Sequence, residues 1–215
     1  MLCMTLMLTE AIAANKAQKT IDQLVTSLNQ HPNALGGEVA SFHECGTRQV
    51  QGFLASTDET VGFILSAARS GAWAVDLTIV PESQVPVFID QSESFTEDRI
   101  LRQAQANAKS ASRAPGGVRV GAVREGNLVD VNAERALGHI EAGLQLLCAI
   151  ERRRSIEGQE AGLLINAGSS QAQAARQLEV SQQAVSARLQ AGYWYESRRS
   201  AYWLATQIQD YIQEK

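Results

Sequence analysis

Apolar and polar positions change rhythm several times along the chain, and each change predicts an element. Residues 2–8 are a short apolar run closed by Thr9 and Glu10, which predicts a buried strand. Over 20–29 the rhythm is helical: Ile21, Leu24, Val25 and Leu28 recur at three- and four-residue spacing, and His31, Pro32 and Asn33 end it. Residues 39–43 and 49–54 flank a turn-like 44–47 and predict a hairpin. A second helix is predicted over 57–69, with Ser56 or Thr57 as N-cap, Val61, Ile64, Leu65 and Ala68 on one side, and Gly71 as terminator. Across 73–80, Trp73, Val75, Leu77 and Ile79 alternate with small or polar residues, which predicts a half-buried strand.

The stretch 81–95, with two prolines and several acids, reads as a surface excursion. A helix over 96–113 follows, through Ile100, Leu101, Ala104 and Ala108, stopped by Pro115, Gly116 and Gly117, and 118–123 predicts a last strand. This order predicts an α+β region over 1–130: a mixed or antiparallel sheet with helices on one face. From 131 to 215 the rhythm is helical throughout. Leu137, Ile140, Leu144 and Leu147 form a stripe widened by Cys148, and Arg152, Arg153 and Arg154 close that helix where positive charge suits its dipole. The stripe spans about two heptads, so it predicts packing within the molecule ahead of a coiled-coil seam.

Residues 168–191 read GSSQAQAARQLEVSQQAVSARLQA. Two crossed helices joined by a tight turn need a small residue at the crossing and apolar residues that lock them. Ala175 is the small residue, Leu178 and Val180 bracket the turn, and Val185 and Leu189 share a face of the second helix. Ser170 with Gln173 spells a capping box, and Ser181 is an N-cap. The pattern predicts a helix-turn-helix at about 170–191. Glu179 stands where such turns usually carry glycine, so a strained or reshaped turn is expected. Gln182, Gln183, Ser186, Ala187 and Gln190 point away from the apolar lock. Glutamine pairs bidentately with adenine and serine reaches base edges or phosphates, while Arg176, Arg188, Arg198 and Arg199 suit the phosphate backbone. Beyond it, Tyr193, Trp194 and Tyr195 are expected to close a small helical core, before an amphipathic helix from about Ser197 carrying Ala201, Leu204, Ile208, Tyr211 and Ile212 on one side.

Composition narrows the functional classes. Hydrophobic residues make up 45% and charged residues 20% of the 215, as in chains that fold around a core. The net charge of −4 excludes a general polyanion binder, yet 168–204 holds four arginines against two glutamates, so any nucleic-acid contact is local to that part. Cys3, Cys45 and Cys148 lie far apart without a CxxC pair, which predicts no disulfide framework, no zinc site and a reducing, cytoplasmic compartment. The apolar start is too short to span a bilayer and has no basic residue before it, so neither anchor nor export signal is expected there. His31, His43 and His139 lack ligand spacing, no GxSxG, P-loop or GxGxxG pattern occurs, and Cys45 beside His43 lacks an oxyanion donor. No catalytic residue, metal or cofactor is expected.

Two resemblances join this reading. Residues 173–191, with AA at 174–175, LEVS at 178–181, AVS at 184–186 and RL at 188–189, resemble the DNA-reading helix-turn-helix of sigma factor region 4. The whole arrangement resembles the SatD-like family, in which an α+β domain precedes a helix-turn-helix tail. VSQQAVS at 180–186 matches that tail, and QVQGFL at 49–54 falls where the family shows a GDEFQG-like segment. That segment is similar to the hairpin of nucleotide cyclases and other palm folds, whose acids hold divalent metal over a triphosphate. The resemblance therefore implies a degenerate palm or ferredoxin-like sheet domain. Here Arg48 and Gln49, next to Val50, replace the acids, and only Glu10 and Glu44 lie near. The expectation is a DNA-binding transcriptional regulator: a homodimer on double-stranded DNA, with 1–130 sensing a small-molecule effector or assembling. The alternatives are a residual nucleotide-binding palm-like domain with an accessory helical tail, or a protein–protein adaptor.

Overall fold

The computed structural model describes residues 1–30, 41–80, 94–123 and 130–213. Its first region contains β1 (Leu2–Leu8), α1 (Ala14–Asn29), β2 (His43–Gly46), β3 (Gln49–Leu54), α2 (Thr57–Ser70), β4 (Trp73–Ile79), α3 (Ser94–Ala111) and β5 (Val118–Ala122). The five strands form one mixed sheet in the order β2-β3-β1-β4-β5. β1 is antiparallel to both β3 and β4, β2 is antiparallel to β3, and β4 and β5 run parallel. A parallel pair needs a crossover rather than a hairpin, and α3 lies on that crossover. The described residues thus form an α+β fold with a helical C-terminal region.

Local chemistry sets the helix ends. Ser56 accepts from the Glu59 amide to start α2, and Gly71, at φ 66°, stops it in the left-handed region. β1, β3 and α2 fall where the apolar rhythm puts them. α1 starts earlier than its stripe, at Ala14, because 14–19 supply good helix formers with little apolar face. β2 occupies 43–46, part of the predicted turn, because β3 supplies its hydrogen-bond partners whatever its own propensity. The reversal is at Thr47 and Arg48, with Arg48 at φ 65°. The predicted stop at 31–33, positions 39–40 of the hairpin and 81–93 of the excursion lie outside the described residues.

The sheet does not have its helices on one face, as the element order suggested. Leu2, Met4, Leu6, Leu8 and Val50 pack with Ile21 of α1 and Ile64 of α2, while Cys3 and Phe53 pack on the other face with Ala104 of α3. This second cover also corrects the half-buried reading of β4. Ala74, Asp76 and Thr78, the positions that alternate with the apolar ones, are 1%, 0% and 0% exposed.

The C-terminal region contains α4 (Val131–Arg153), α5 (Ile156–Asn166), α6 (Gln171–Gln177), α7 (Gln182–Ala191) and α8 (Trp194–Gln213). Asp130 caps α4 by accepting from the Asn132 and Ala133 amides. The α4 stripe Leu137, Ile140, Leu144, Leu147 and Cys148 is buried in one cluster with Leu204, Ile208 and Ile212 of α8 and with the sheet residues above. That core therefore crosses the boundary expected at 130–131, and only α5, α6, α7 and the start of α8 have a cluster of their own. Along the outer edge of β5, the Glu141 carboxylate accepts from the Val120 amide at 2.9 Å and the Gln145 amide group donates to the Val118 carbonyl at 3.1 Å. Side chains of α4 thus take the place of a sixth strand.

Candidate nucleic-acid interface

The separate cluster behind α7 is built from small residues around one ring. Ala161, Ala174, Ala175, Val185 and Leu189 pack against Trp194, which is 3% exposed. Gly162 on α5 lets the indole approach the helix backbone, since a Cβ there would overlap the ring. The Arg154 and Arg198 guanidiniums lie 4.8 and 4.9 Å from the Trp194 ring centroid. Arg154 then ties three elements together: it donates to the Gly192 carbonyl at 2.9 Å, the Ser197 hydroxyl at 2.8 Å and the Glu151 carboxylate at 2.6 Å. The ends of α4 and α7 and the start of α8 are thereby fixed to one another.

The capping signals act as their sequence predicts. Ser170 and Gln173 form a reciprocal capping box on α6, and Ser181 accepts from the Ala184 amide at 3.1 Å to start α7. Between them, the Val180 amide reaches back to the Ala175 carbonyl at 3.0 Å and Glu179 sits at φ 54°. The turn keeps the left-handed shape usual for glycine and places a glutamate in it, so the expected strain is present. Val185 and Leu189 face α5 and α6, leaving the opposite side of α7 outward.

Ser181, Gln182, Gln183, Ala187 and Gln190 are exposed, as are Arg176 and Arg199, while Ser186 and Arg188 are half-buried. The glutamine face is therefore open to solvent. Ser181 accepts the cap bond on one lone pair of its hydroxyl oxygen and keeps its hydroxyl proton for an outside acceptor. Arg198 does not belong with this set. Four residues after Trp194, it shares that residue's helix face, stacks on the ring and donates to the buried Glu151 carboxylate. The aromatic triplet also divides: Trp194 closes the core, whereas Tyr193 and Tyr195 are 58% and 49% exposed.

Sequence reasoning did not single out Glu151, Arg154 or Gly162. The run of three arginines was legible as a helix end, but only Arg154 of it meets Glu151, and the carboxylate's other partners, Arg69 and Arg198, are apparent only once α4, α2 and α8 meet.

On the sheet, Arg48 donates to the Thr9 and Ile12 carbonyls at 2.6 and 2.9 Å, holding the loop after β1. Glu10 is exposed and Glu44 accepts from Gln18 at 3.1 Å. Among the described residues no three His, Cys, Asp or Glu side chains gather in a way that would hold a metal ion. Under α3, the buried Asp76 carboxylate accepts from Thr78 at 2.8 Å on one oxygen and has no hydrogen-bond partner on the other. Burial, foremost, pushes it up to about 7, and the Glu141 charge adds to this. A cavity of about 340 Å³ opens beside β5, lined by Asn107, Gly121, Glu134, Gly138 and Glu141 among others. Among the described residues no helix is long and apolar enough to cross a membrane. Set against protein-family models, curated proteins and solved structures, the chain has no match.

Proposed function

We propose that this protein is a DNA-binding transcriptional regulator in which α7 lies in the major groove of duplex DNA. The observation that carries the reading is the outward face of Gln182, Gln183 and Gln190 on a helix locked from behind by α5, α6 and Trp194. Side-chain amides supply paired donors and acceptors for base edges, and exposed Arg176 and Arg199 supply charge for phosphates. A single small module with few basic residues binds weakly, so the regulator works as a homodimer whose two α7 helices meet half-sites about 34 Å apart. In this reading it belongs with the SatD-like proteins, acts in the cytoplasm, and its sheet region receives the effector.

Selection of bound fragments from random genomic DNA tests the proposal. A recurring two-half-site sequence is expected. Gln182→Ala and Gln183→Ala should then lower discrimination between sites, by about 1–3 kcal/mol for each lost pairing. Arg176→Ala should weaken all duplexes alike and reduce the slope of log affinity against log salt by about 0.9. Failure to enrich any sequence, with all three substitutions silent, removes α7 from the groove.

A second reading is favoured by the strand order. The succession β1-α1-β2-β3-α2-β4 with β2-β3-β1-β4 all antiparallel supports a ferredoxin-like, palm-type domain extended by β5, and hence residual nucleotide binding. Arg48, tied to backbone carbonyls where a palm would present acids, argues against catalysis there. Millimolar ATP or GTP with magnesium should raise the melting temperature under this reading, and no shift removes it.

A further inference from the structure

Three arginines surround one carboxylate where α2, α4 and α8 meet. Glu151, 3% exposed, takes Arg154 and Arg198 on one oxygen and Arg69, at 3.9 Å, on the other. Arg152 adds a fourth guanidinium nearby by donating to the Ala68 carbonyl at 3.1 Å. Among the described residues, no second carboxylate forms an ion pair with Arg69, Arg154 or Arg198. The three are not equivalent. The Arg154 side chain is 0% exposed and all of its nitrogens have partners. Arg69 and Arg198 keep 23% and 35% of their side-chain surface, and each has a buried nitrogen, Nη1 of Arg69 and Nε of Arg198, with no hydrogen-bond acceptor. Both are pushed below the usual guanidinium range, by burial first, with repulsion from the neighbouring arginines adding to it. The cluster thus carries surplus positive charge that solvent reaches through the exposed parts of Arg69 and Arg198, while the two unpartnered nitrogens are themselves buried.

We infer that Arg69 and Arg198 form an oxyanion site that takes a phosphate group at the seam between the sheet region and the start of α8. Guanidiniums offer forked pairs of donors that match phosphate oxygens, and an anion between them relieves their mutual repulsion. The phosphate belongs to a small phosphorylated ligand or to a nucleic-acid backbone. Because Arg198 also stacks on Trp194, the bound group bears directly on the residue that closes the core behind α7. The inference does not rest on duplex binding by α7.

The test is thermal unfolding of the full chain in chloride buffer with sodium pyrophosphate added at constant ionic strength. A saturable rise is expected, about 3–6 °C at ten times the dissociation constant. Arg69→Gln should abolish that rise while changing the melting temperature in chloride alone little, because the Glu151 pair it removes is long, at 3.9 Å, and that carboxylate keeps Arg154 and Arg198. No rise in the natural chain, a rise that survives Arg69→Gln, or an equal loss of stability with and without pyrophosphate overturns the proposal. A short duplex distinguishes the sources. If pyrophosphate competes with it and Arg69→Gln weakens it, the phosphate is the backbone's. If duplex affinity is untouched by either while pyrophosphate still stabilises, a small ligand is the source.

Discussion

The core behind α7 and the core under the sheet keep their shapes by different means. Beneath the sheet, large aliphatic side chains from strands and four helices interlock, so no one of them is decisive. Behind α7, three alanines, Val185 and Leu189 surround a single indole, and a buried arginine and its carboxylate hold that indole's helix in place. The first arrangement distributes its stability over many contacts. The second concentrates it in Trp194, Gly162, Arg154 and Glu151.

Substitutions in each core sharpen or break this contrast. Trp194→Ala should have the largest effect, about 3–5 kcal/mol, as for other buried aromatic truncations. Hydrogen exchange is expected to show α6 and α7 losing protection while β1 and β4 keep theirs; uniform loss would mean the two cores do not separate. Asp76→Asn reports on the sheet. With its carboxyl raised to about 7, the folded chain holds a proton that the unfolded chain has released, so stability should fall as pH rises from about 4 to 7. Urea unfolding at both ends of that window should show a difference of a few kcal/mol, and Asp76→Asn should flatten it. Gly162→Ala forces a methyl against the ring and should cost about 1–3 kcal/mol by chemical denaturation. Smallest is Glu179→Gly, which removes a left-handed non-glycine residue and should stabilise by about 0.5–1 kcal/mol, visible as a raised urea midpoint.

The same contrast explains what the sequence made legible. In the α6–α7 segment the caps, the crossing residue Ala175 and the lock of Val185 and Leu189 all lie within about two dozen residues, so local chemistry states the geometry in full. Even the cost at Glu179 is visible there. The sheet depends on distant partners. Asp76 and Thr78 look solvent-facing along β4, and only their neighbours across the sheet, Thr5 and Cys3, together with the cover of α3, make them interior. Arg198 is misplaced for the same reason. Its spacing suits the outward face beside α7, whereas the Glu151 that turns it toward α4 and Trp194 lies 47 residues earlier.

The edges of the sheet bear on how copies of this chain meet. On one side, Glu141 and Gln145 occupy backbone groups of β5 that an incoming strand would need. On the other, β2 is only four residues long and its register shifts between Glu44 and Gly46. Among the described residues neither border offers a long regular template, which disfavours runaway polymerisation by strand addition at high concentration.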